Sequence, residues 1–145
     1  MAPPGTKYQR LVHVFDRGIG NDIQRGHGEC EVFPAPFAVF RNENGRDYVE
    51  PDLSVICSRD KITEKGCKGV PDWIIEVVSP SSRQLDYFKK LFKYRTAGVR
   101  KYWAAGPERE LVAVCHFEKD SMEEYAFGED IPVGIYEGFS IKAEQ

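Results

Sequence analysis

The stretch that decides the fold spans residues 71–94 and reads PDWIIEVVSPSSRQLDYFKKLFKY. Its first part, WIIEVV, is the most apolar run of the chain and carries one carboxylate in its middle, Glu76. Such a run predicts a central strand that is covered on both faces of a sheet. An unpaired buried charge is among the costliest features that a fold can contain. Glu76 therefore needs a partner, which is either a bound cation or a basic side chain.

The second part of the stretch predicts a helix. Ser81 or Ser82 suits its N-cap, the helix runs to Thr96, and Gly98 ends it as a C-terminal cap would. The segment KYWAAG at 101–106 then predicts a strand that returns beside the one holding Glu76. The apolar positions of this helix, which would face the core, are Leu85, Phe88, Leu91 and Phe92.

The segments outside this stretch complete a mixed fold. Residues 6–25 predict a helix, because their apolar positions recur at helical spacing. CEVF, FAVF and PDLSVIC predict an antiparallel meander, and LVAVCHF with MEEYAF predicts a closing hairpin. We therefore expect an α/β or α+β fold, with a central mixed sheet flanked by helices and an added antiparallel hairpin. The apolar positions of the first helix are Leu11, Val14, Phe15, Ile19 and Ile23.

Length and charge set limits on the class of protein. The chain has 145 residues, which fits a single domain over residues 1–145. Its net charge of -3 disfavours nucleic-acid binding over the whole surface but allows a local basic patch. No apolar run is long enough to span a membrane, and the N-terminus lacks the apolar core of a signal peptide. We expect a soluble, cytoplasmic protein. The basic residues that crowd one region are Lys89, Lys90, Lys93, Arg95, Arg100 and Lys101.

The cysteines give little sign of a metal centre. Cys30, Cys57, Cys67 and Cys115 form no CxxC pair, whereas a zinc site usually needs close, paired ligands. We expect reduced, buried thiols that pack as small apolar side chains.

A second carboxylate gives Glu76 a possible reason to be there. Asp52 opens the predicted strand PDLSVIC, directly after a proline. If that strand neighbours the strand of Glu76, the two carboxylates meet and repel, and only a cation or a proton relieves the repulsion. Mg²⁺ takes oxygen ligands and is typically held by one or two carboxylates together with water and phosphate. The alternative, a structural ion pair of Glu76 with a lysine or arginine, stays open on this pattern.

The predicted helix carries a polar face as well. Asp86, Lys90 and Tyr94 follow each other at i, i+4 and i+8, so they lie on one side of the helix. Asp86 can orient Lys90 through an ion pair, and a lysine near a metal-bound water can position the nucleophile or stabilise the charge of the transition state. An exposed helix face with an ordinary ion pair is the alternative. Tyr94 would contact phosphate or pack in the core.

The core of the chain resembles the Uma-two-type family of restriction-endonuclease-like proteins. The resemblance runs from about Pro3 to Ile141 and is most specific from Pro71 to Trp103, where PD, E, SPSSR, D, K, Y, GV and YW occur in order. It implies the PD-(D/E)XK core, a mixed four-stranded sheet flanked by helices, with a divalent metal ion at the active site. It also implies a metal-dependent endonuclease that hydrolyses nucleic acid, with DNA as the expected partner, and a homodimer.

The resemblance assigns the site residue by residue. Pro51-Asp52 matches the PD element, and Glu76 matches the acidic member of (D/E)XK. Val78 stands where that pattern has its lysine, and Lys90 matches the position to which the lysine has moved in this family. Asp52, Glu76 and Lys90 are thus the expected catalytic residues. Mg²⁺ or Mn²⁺ is the expected cofactor, with Asp52, Glu76 and the backbone carbonyl of Val77 as its ligands.

Other positions have weaker support. Ser79 follows the strand and would hydrogen-bond a carboxylate ligand. Gln9, Asp16 and Asp22 could offer a ligand from the first helix. Tyr8 stands where histidine is common in the family and Lys101 where glutamate is common. The N-terminal family segment is expected to be short or absent. These departures weigh against a role for the first helix and leave a truncated or degenerate member as an alternative.

Two functions compete with the nuclease. One is a non-catalytic nucleic-acid or protein binding module with a vestigial nuclease site, which the acidic balance favours. The other is a structural dimer, in which edge strands of the closing hairpin pair across a two-fold axis.

Overall fold

The main sheet is built around the strand that holds Glu76. The computed structural model of the chain describes residues 5–41, 45–78, 93–94, 97–134 and 139–144. Strand β7 (Trp73–Val77) is buried at every position. It lies antiparallel to β4 (Leu53–Ile56) and parallel to β8 (Lys101–Gly106). The predicted central strand and its neighbour at 101–106 are confirmed.

Three more strands belong to the main sheet: β1 (Glu31–Pro34), β9 (Leu111–His116) and β10 (Ser121–Ala126). Among the described residues, the sheet therefore has six strands, in the order β1-β4-β7-β8-β9-β10. All neighbours except β7 and β8 are antiparallel, so the sheet is mixed. The closing hairpin β9–β10 is confirmed, and β10 forms one edge of the sheet.

Within the described residues, the shorter strands form two smaller sheets. These strands are β2 (Val39–Phe40), β3 (Tyr48–Val49), β5 (Ile62–Thr63), β6 (Gly66–Lys68), β11 (Asp130–Pro132) and β12 (Ser140–Lys142). The four-stranded sheet has the order β3-β2-β6-β5, and the two-stranded sheet pairs β11 with β12. A 3-10 turn, Arg59–Lys61, precedes β5.

The predicted single meander is wrong for the segment FAVF. Its strand β2 leaves the main sheet and pairs with β3 and β6. The reason is a separate small core, in which Val39 is buried together with Ile56 and Cys67. CEVF and PDLSVIC do pair as predicted, as β1 and β4.

One helix packs on the first face of the main sheet. Helix α1 (Thr6–Arg25) has the predicted bounds. Its residues Leu11, Phe15 and Ile19 are buried against a core that includes Trp73 and Trp103. These positions recur at helical spacing, so burial of one apolar face explains why this segment is a helix despite Gly18 and Gly20 in its interior.

The second face of the sheet is covered by a core around Tyr94 and Tyr102. Lys93, Tyr94 and Ala97 are helical. Gly98 has a φ of 97°, and the amide of Val99 donates to the carbonyl of Tyr94, so the predicted end of the helix at Gly98 is confirmed. The predicted N-cap and the inner face from Leu85 to Phe92 lie outside the described residues.

The expectation of reduced thiols is wrong for two of the cysteines. Cys30 and Cys57 form a disulfide. The register of β1 and β4 pairs Glu31 with Ile56, so the next residues outward, Cys30 and Cys57, become neighbours. Cys67 and Cys115 are buried thiols outside the disulfide, as expected. Burial raises the pKa of the Cys67 thiol to about 11.

A glycine substitution tests the junction between β2 and β6. Gly66 has a φ of 141°, and a Cβ there would overlap the backbone oxygen of Ala38. We expect Gly66→Ala to lower the free energy of unfolding by about 2 kcal/mol or more. Gly20→Ala is the control, because Gly20 lies inside α1 with no described atom near its Cβ position. It should stabilise the protein by about 0.5–1 kcal/mol in urea denaturation. Equal stability of the two variants would contradict this packing.

Candidate active site

Asp52 and Glu76 meet at one end of the central strands. The register of β4 and β7 pairs Leu53 with Ile75, and continuing it by one residue places Asp52 opposite Glu76. The two carboxylates lie close together, because the charges of both raise the pKa of Tyr8 and that of Tyr94. The condition stated from the sequence, that the two strands be neighbours, is therefore met.

Two hydrogen bonds fix the carboxylate of Asp52. The backbone amide of Val77 donates to Oδ2 over 2.7 Å. The hydroxyl of Tyr8 donates to Oδ1. The backbone of Asp52 is also held, because the amide of Ala35 donates to its carbonyl over 2.9 Å. Asp52 thus accepts hydrogen bonds from three parts of the fold, which are strand β7, helix α1 and the residue that follows β1.

Glu76 is held by Tyr94, which belongs to the core on the second face of the sheet. It is only 6% exposed, and the hydroxyl of Tyr94 donates to its Oε1 over 2.8 Å. Tyr94 is itself buried in the second core, where its ring lies 5.2 Å from that of Tyr102. Of the two roles that the sequence left open for Tyr94, the structure shows packing together with a direct bond to a proposed metal ligand.

The two tyrosines respond to both carboxylates. Burial raises the pKa of Tyr94 above its ordinary value, and the charge and hydrogen bond of Glu76 raise it further, with smaller effects from Tyr102 and Asp52. Burial likewise raises the pKa of Tyr8, helped by the hydrogen bond and charge of Asp52 and by the charge of Glu76. Both hydroxyls therefore keep their protons at neutral pH and act as donors.

The remaining site residues expected from sequence are placed only in part. Val77 lies at the end of β7, where its amide is bonded to Asp52. Val78, which stands where the superfamily pattern has lysine, is half-buried beside it. The other three predicted residues, Ser79, Asp86 and Lys90, lie outside the described residues, so their roles stay predictions.

The first helix contributes a residue that the sequence did not single out as a site residue. Of the ligands considered there, Gln9 is exposed and Asp16 is half-buried. Asp22 is buried but bonded to Arg25 over 2.6 Å. It also lies about 21 Å along the helix from Tyr8, at 1.5 Å per residue. Tyr8 could have been found by its spacing, since it falls three residues before Leu11 on the face that packs on the sheet.

The topology also separates two Pro-Asp pairs that look alike in sequence. Asp72, in the second pair, precedes β7 and therefore lies at the opposite end of that strand from Glu76. Its carboxylate pairs with Arg100 over 2.6 Å and accepts the amide of Cys57 over 2.7 Å. Asp72 is thus engaged in structural contacts, and Asp52 is the aspartate that faces Glu76.

The donor set suits a hard cation. Within the part of the chain that the structure describes, no three or more His, Cys, Asp or Glu side chains are grouped to hold a metal ion. Two carboxylates are, however, what Mg²⁺ usually takes from a protein, with water and substrate phosphate as its other ligands. The two carboxylates, those of Asp52 and Glu76, have the chemistry that suits such an ion. None of the described helices has the length and apolarity needed to cross a membrane.

Comparisons with known proteins agree with this architecture. No curated protein matches the chain. Among solved structures, the chain is similar to the crystal structure of "a putative nuclease belonging to DUF820" from Anabaena variabilis ATCC 29413, with a TM-score of 0.67 and 22% identity over 91% of this chain and 74% of that one. This likeness confirms the expected mixed α+β fold. The profile of the Uma2 family, described as "Putative restriction endonuclease", matches residues 1–144. The chain therefore belongs to the Uma2 family.

Proposed function

We propose that this protein is a metal-dependent endonuclease that hydrolyses phosphodiester bonds in nucleic acid. The observation that carries the proposal is the juxtaposition of Asp52 and Glu76 at the end of two adjacent strands. Membership of the Uma2 family and the similarity of the fold to a nuclease structure support the same class of reaction. Mg²⁺ or Mn²⁺ is the proposed cofactor, held by both carboxylates and the carbonyl of Val77.

The residues of the site have distinct proposed tasks. A bound divalent ion would polarise the phosphate and lower the pKa of a bound water. Asp52 and Glu76 supply the negative charge that attracts the ion. Each carboxylate is oriented by a donor, Asp52 by the amide of Val77 and Glu76 by the hydroxyl of Tyr94. We propose that Lys90 positions the attacking water or stabilises charge on the phosphate.

The remaining parts of the proposal concern residues, partners and a location beyond this geometry. Asp86 would orient Lys90, and Ser79 would hydrogen-bond a carboxylate ligand. DNA is the proposed substrate, and the cytoplasm the proposed location. A homodimer is proposed because β10 is an edge strand of the main sheet, and edge strands can pair across a two-fold axis. Sedimentation of the purified protein tests the dimer.

The first experiment is a titration of Mn²⁺ and Mg²⁺ into the metal-free protein by calorimetry. We expect binding by the wild type and none by Glu76→Ala. Glu123→Ala is the matched control, because Glu123 also accepts a tyrosine hydroxyl, that of Tyr125 over 2.6 Å, but on the exposed strand β10. The control should bind as the wild type does. If no binding is seen even with a short DNA duplex present, the nuclease proposal fails and a binding module becomes the better description.

The stability of metal-free Glu76→Gln separates a metal ligand from a structural ion pair. Glutamine keeps an acceptor for the Tyr94 hydroxyl and removes the repulsion between Glu76 and Asp52. We therefore expect the free energy of unfolding, measured in urea, to be unchanged or slightly raised. Breaking a structural buried ion pair would instead lower it by about 3–5 kcal/mol. A loss of that size would assign Glu76 to a structural role.

A further inference from the structure

The hydroxyl of Tyr8 is the part of helix α1 that reaches the proposed site. We infer that Tyr8 is a positioning residue, which holds the Asp52 carboxylate in the orientation that binds the metal ion. The inference rests on the proposed function, because it assigns a second layer of contacts to that same site. Its basis is the hydrogen bond from the Tyr8 hydroxyl to Oδ1 of Asp52.

A second donor is needed because one bond leaves the carboxylate free to turn. The terminal torsion of an aspartate side chain is broad, with two nearly equivalent orientations. The amide of Val77 fixes Oδ2 alone. With the Tyr8 hydroxyl on Oδ1, both oxygens are fixed by donors from two different elements, α1 and β7. A carboxylate has about four lone-pair sites, so each oxygen keeps one for a cation.

The rest of the helix makes this donor rigid. Tyr8 lies one turn before Leu11 and two turns before Phe15, and both of these are fully buried. The ring of Phe15 meets that of Trp103 edge-on, with 6.0 Å between centroids. Trp103 belongs to β8, the strand next to the one that holds Glu76. The packing of α1 on the sheet therefore sets the position of the Tyr8 hydroxyl.

The same contact has a plainer interpretation, in which Tyr8 only adds one hydrogen bond to the fold. That bond would contribute about 1 kcal/mol to stability, and its loss would not change how the folded protein binds metal. Partners that orient metal ligands behave differently, since their removal typically weakens metal affinity about tenfold to a hundredfold. Metal affinity therefore distinguishes the two roles, whereas stability does not.

The test measures Mn²⁺ affinity by calorimetry in the wild type, Tyr8→Phe and Tyr125→Phe. Phenylalanine keeps the ring of Tyr8 and removes only the hydroxyl. Tyr125→Phe is the matched control, because it removes a hydroxyl bonded to a carboxylate far from the site in sequence and on the exposed edge strand. We expect Tyr8→Phe to bind Mn²⁺ about tenfold to a hundredfold more weakly and the control to match the wild type. Raising the Mn²⁺ concentration should restore the kcat of Tyr8→Phe. Circular dichroism shows whether each variant is folded.

The outcomes separate this inference from the function on which it rests. If the wild type binds Mn²⁺ and Tyr8→Phe binds it equally well, Tyr8 is not a positioning residue and the proposed function stands. If the wild type binds no Mn²⁺, with or without a DNA duplex, the proposed function fails and the inference fails with it. A crystal structure of the metal-free protein gives an independent check, because the absence of the bond between Tyr8 and Asp52 would overturn the inference whatever the metal affinity.

Discussion

Glu76→Gln is expected to reduce metal-dependent cleavage of DNA by about a thousandfold. A bound metal ion contributes several kcal/mol of charge stabilisation to the transition state, and each 1.36 kcal/mol corresponds to a factor of about ten in rate. Glutamine keeps the size of the side chain and an acceptor for the Tyr94 hydroxyl but loses the negative charge. Asp52→Asn should have an effect of similar size, because Asp52 faces Glu76 across the strand pair.

The measurement is cleavage of single-stranded and duplex DNA with Mg²⁺ or Mn²⁺, under conditions where the wild type is active. Glu123→Gln serves as the control, since it removes one carboxylate charge from the edge strand β10. It should keep the rate of the wild type. The double variant that combines Glu76→Gln with Asp52→Asn adds a further test. If both residues bind the same ion, it should be scarcely slower than either single variant. Cleavage by Glu76→Gln at the wild-type rate would remove Glu76 from the mechanism.

Trp103→Ala is expected to give the largest loss of stability, about 3–5 kcal/mol. Trp103 has no exposed surface and lies between helix α1 and the central strands. Its ring lies 4.6 Å from that of Trp73 and 6.0 Å from that of Phe15, measured between centroids. Alanine leaves a cavity where the helix and the sheet meet, so the lost contacts affect both elements.

Urea denaturation measures this effect through the midpoint of unfolding, with the slope unchanged if both states stay equally compact. Met122→Ala is the control, because Met122 is 58% exposed on the edge strand and should change the free energy of unfolding by no more than about 0.5 kcal/mol. Trp103→Phe should cost much less than Trp103→Ala, since it keeps a ring and removes an indole nitrogen that has no hydrogen-bond partner among the described residues. A loss below 1 kcal/mol for Trp103→Ala would contradict the packing of α1 on the sheet.

The elements predicted best are those in which the spacing of apolar residues along the chain shows which faces are buried. Helix α1 has the predicted bounds because its apolar side chains repeat at the helical period and pack against a single core. Strand β7 was predicted from the run WIIEVV, which is apolar on both faces because both faces of the sheet are covered. Gly98 was predicted to end a helix because few other residues adopt a positive φ easily, and its φ is 97°.

The errors arose where a short segment had two possible partners. FAVF has the composition of a strand, but composition does not say which sheet the strand joins, and the small core around Val39 decided the matter. Cys30 and Cys57 stand 27 residues apart, so no spacing rule pairs them. They meet because the register of β1 and β4 brings their ends together.

The sequence by itself determined the helix, the central strand with its carboxylate, the closing hairpin and the resemblance to a nuclease family. Each of these depends on patterns that are local in the chain. Only the tertiary structure decided that the strands of Asp52 and Glu76 are neighbours, and that Tyr8 and Tyr94 donate to these carboxylates. The physical reason is that strand register and the packing of a helix on a sheet join residues far apart in sequence, and no local pattern specifies such contacts.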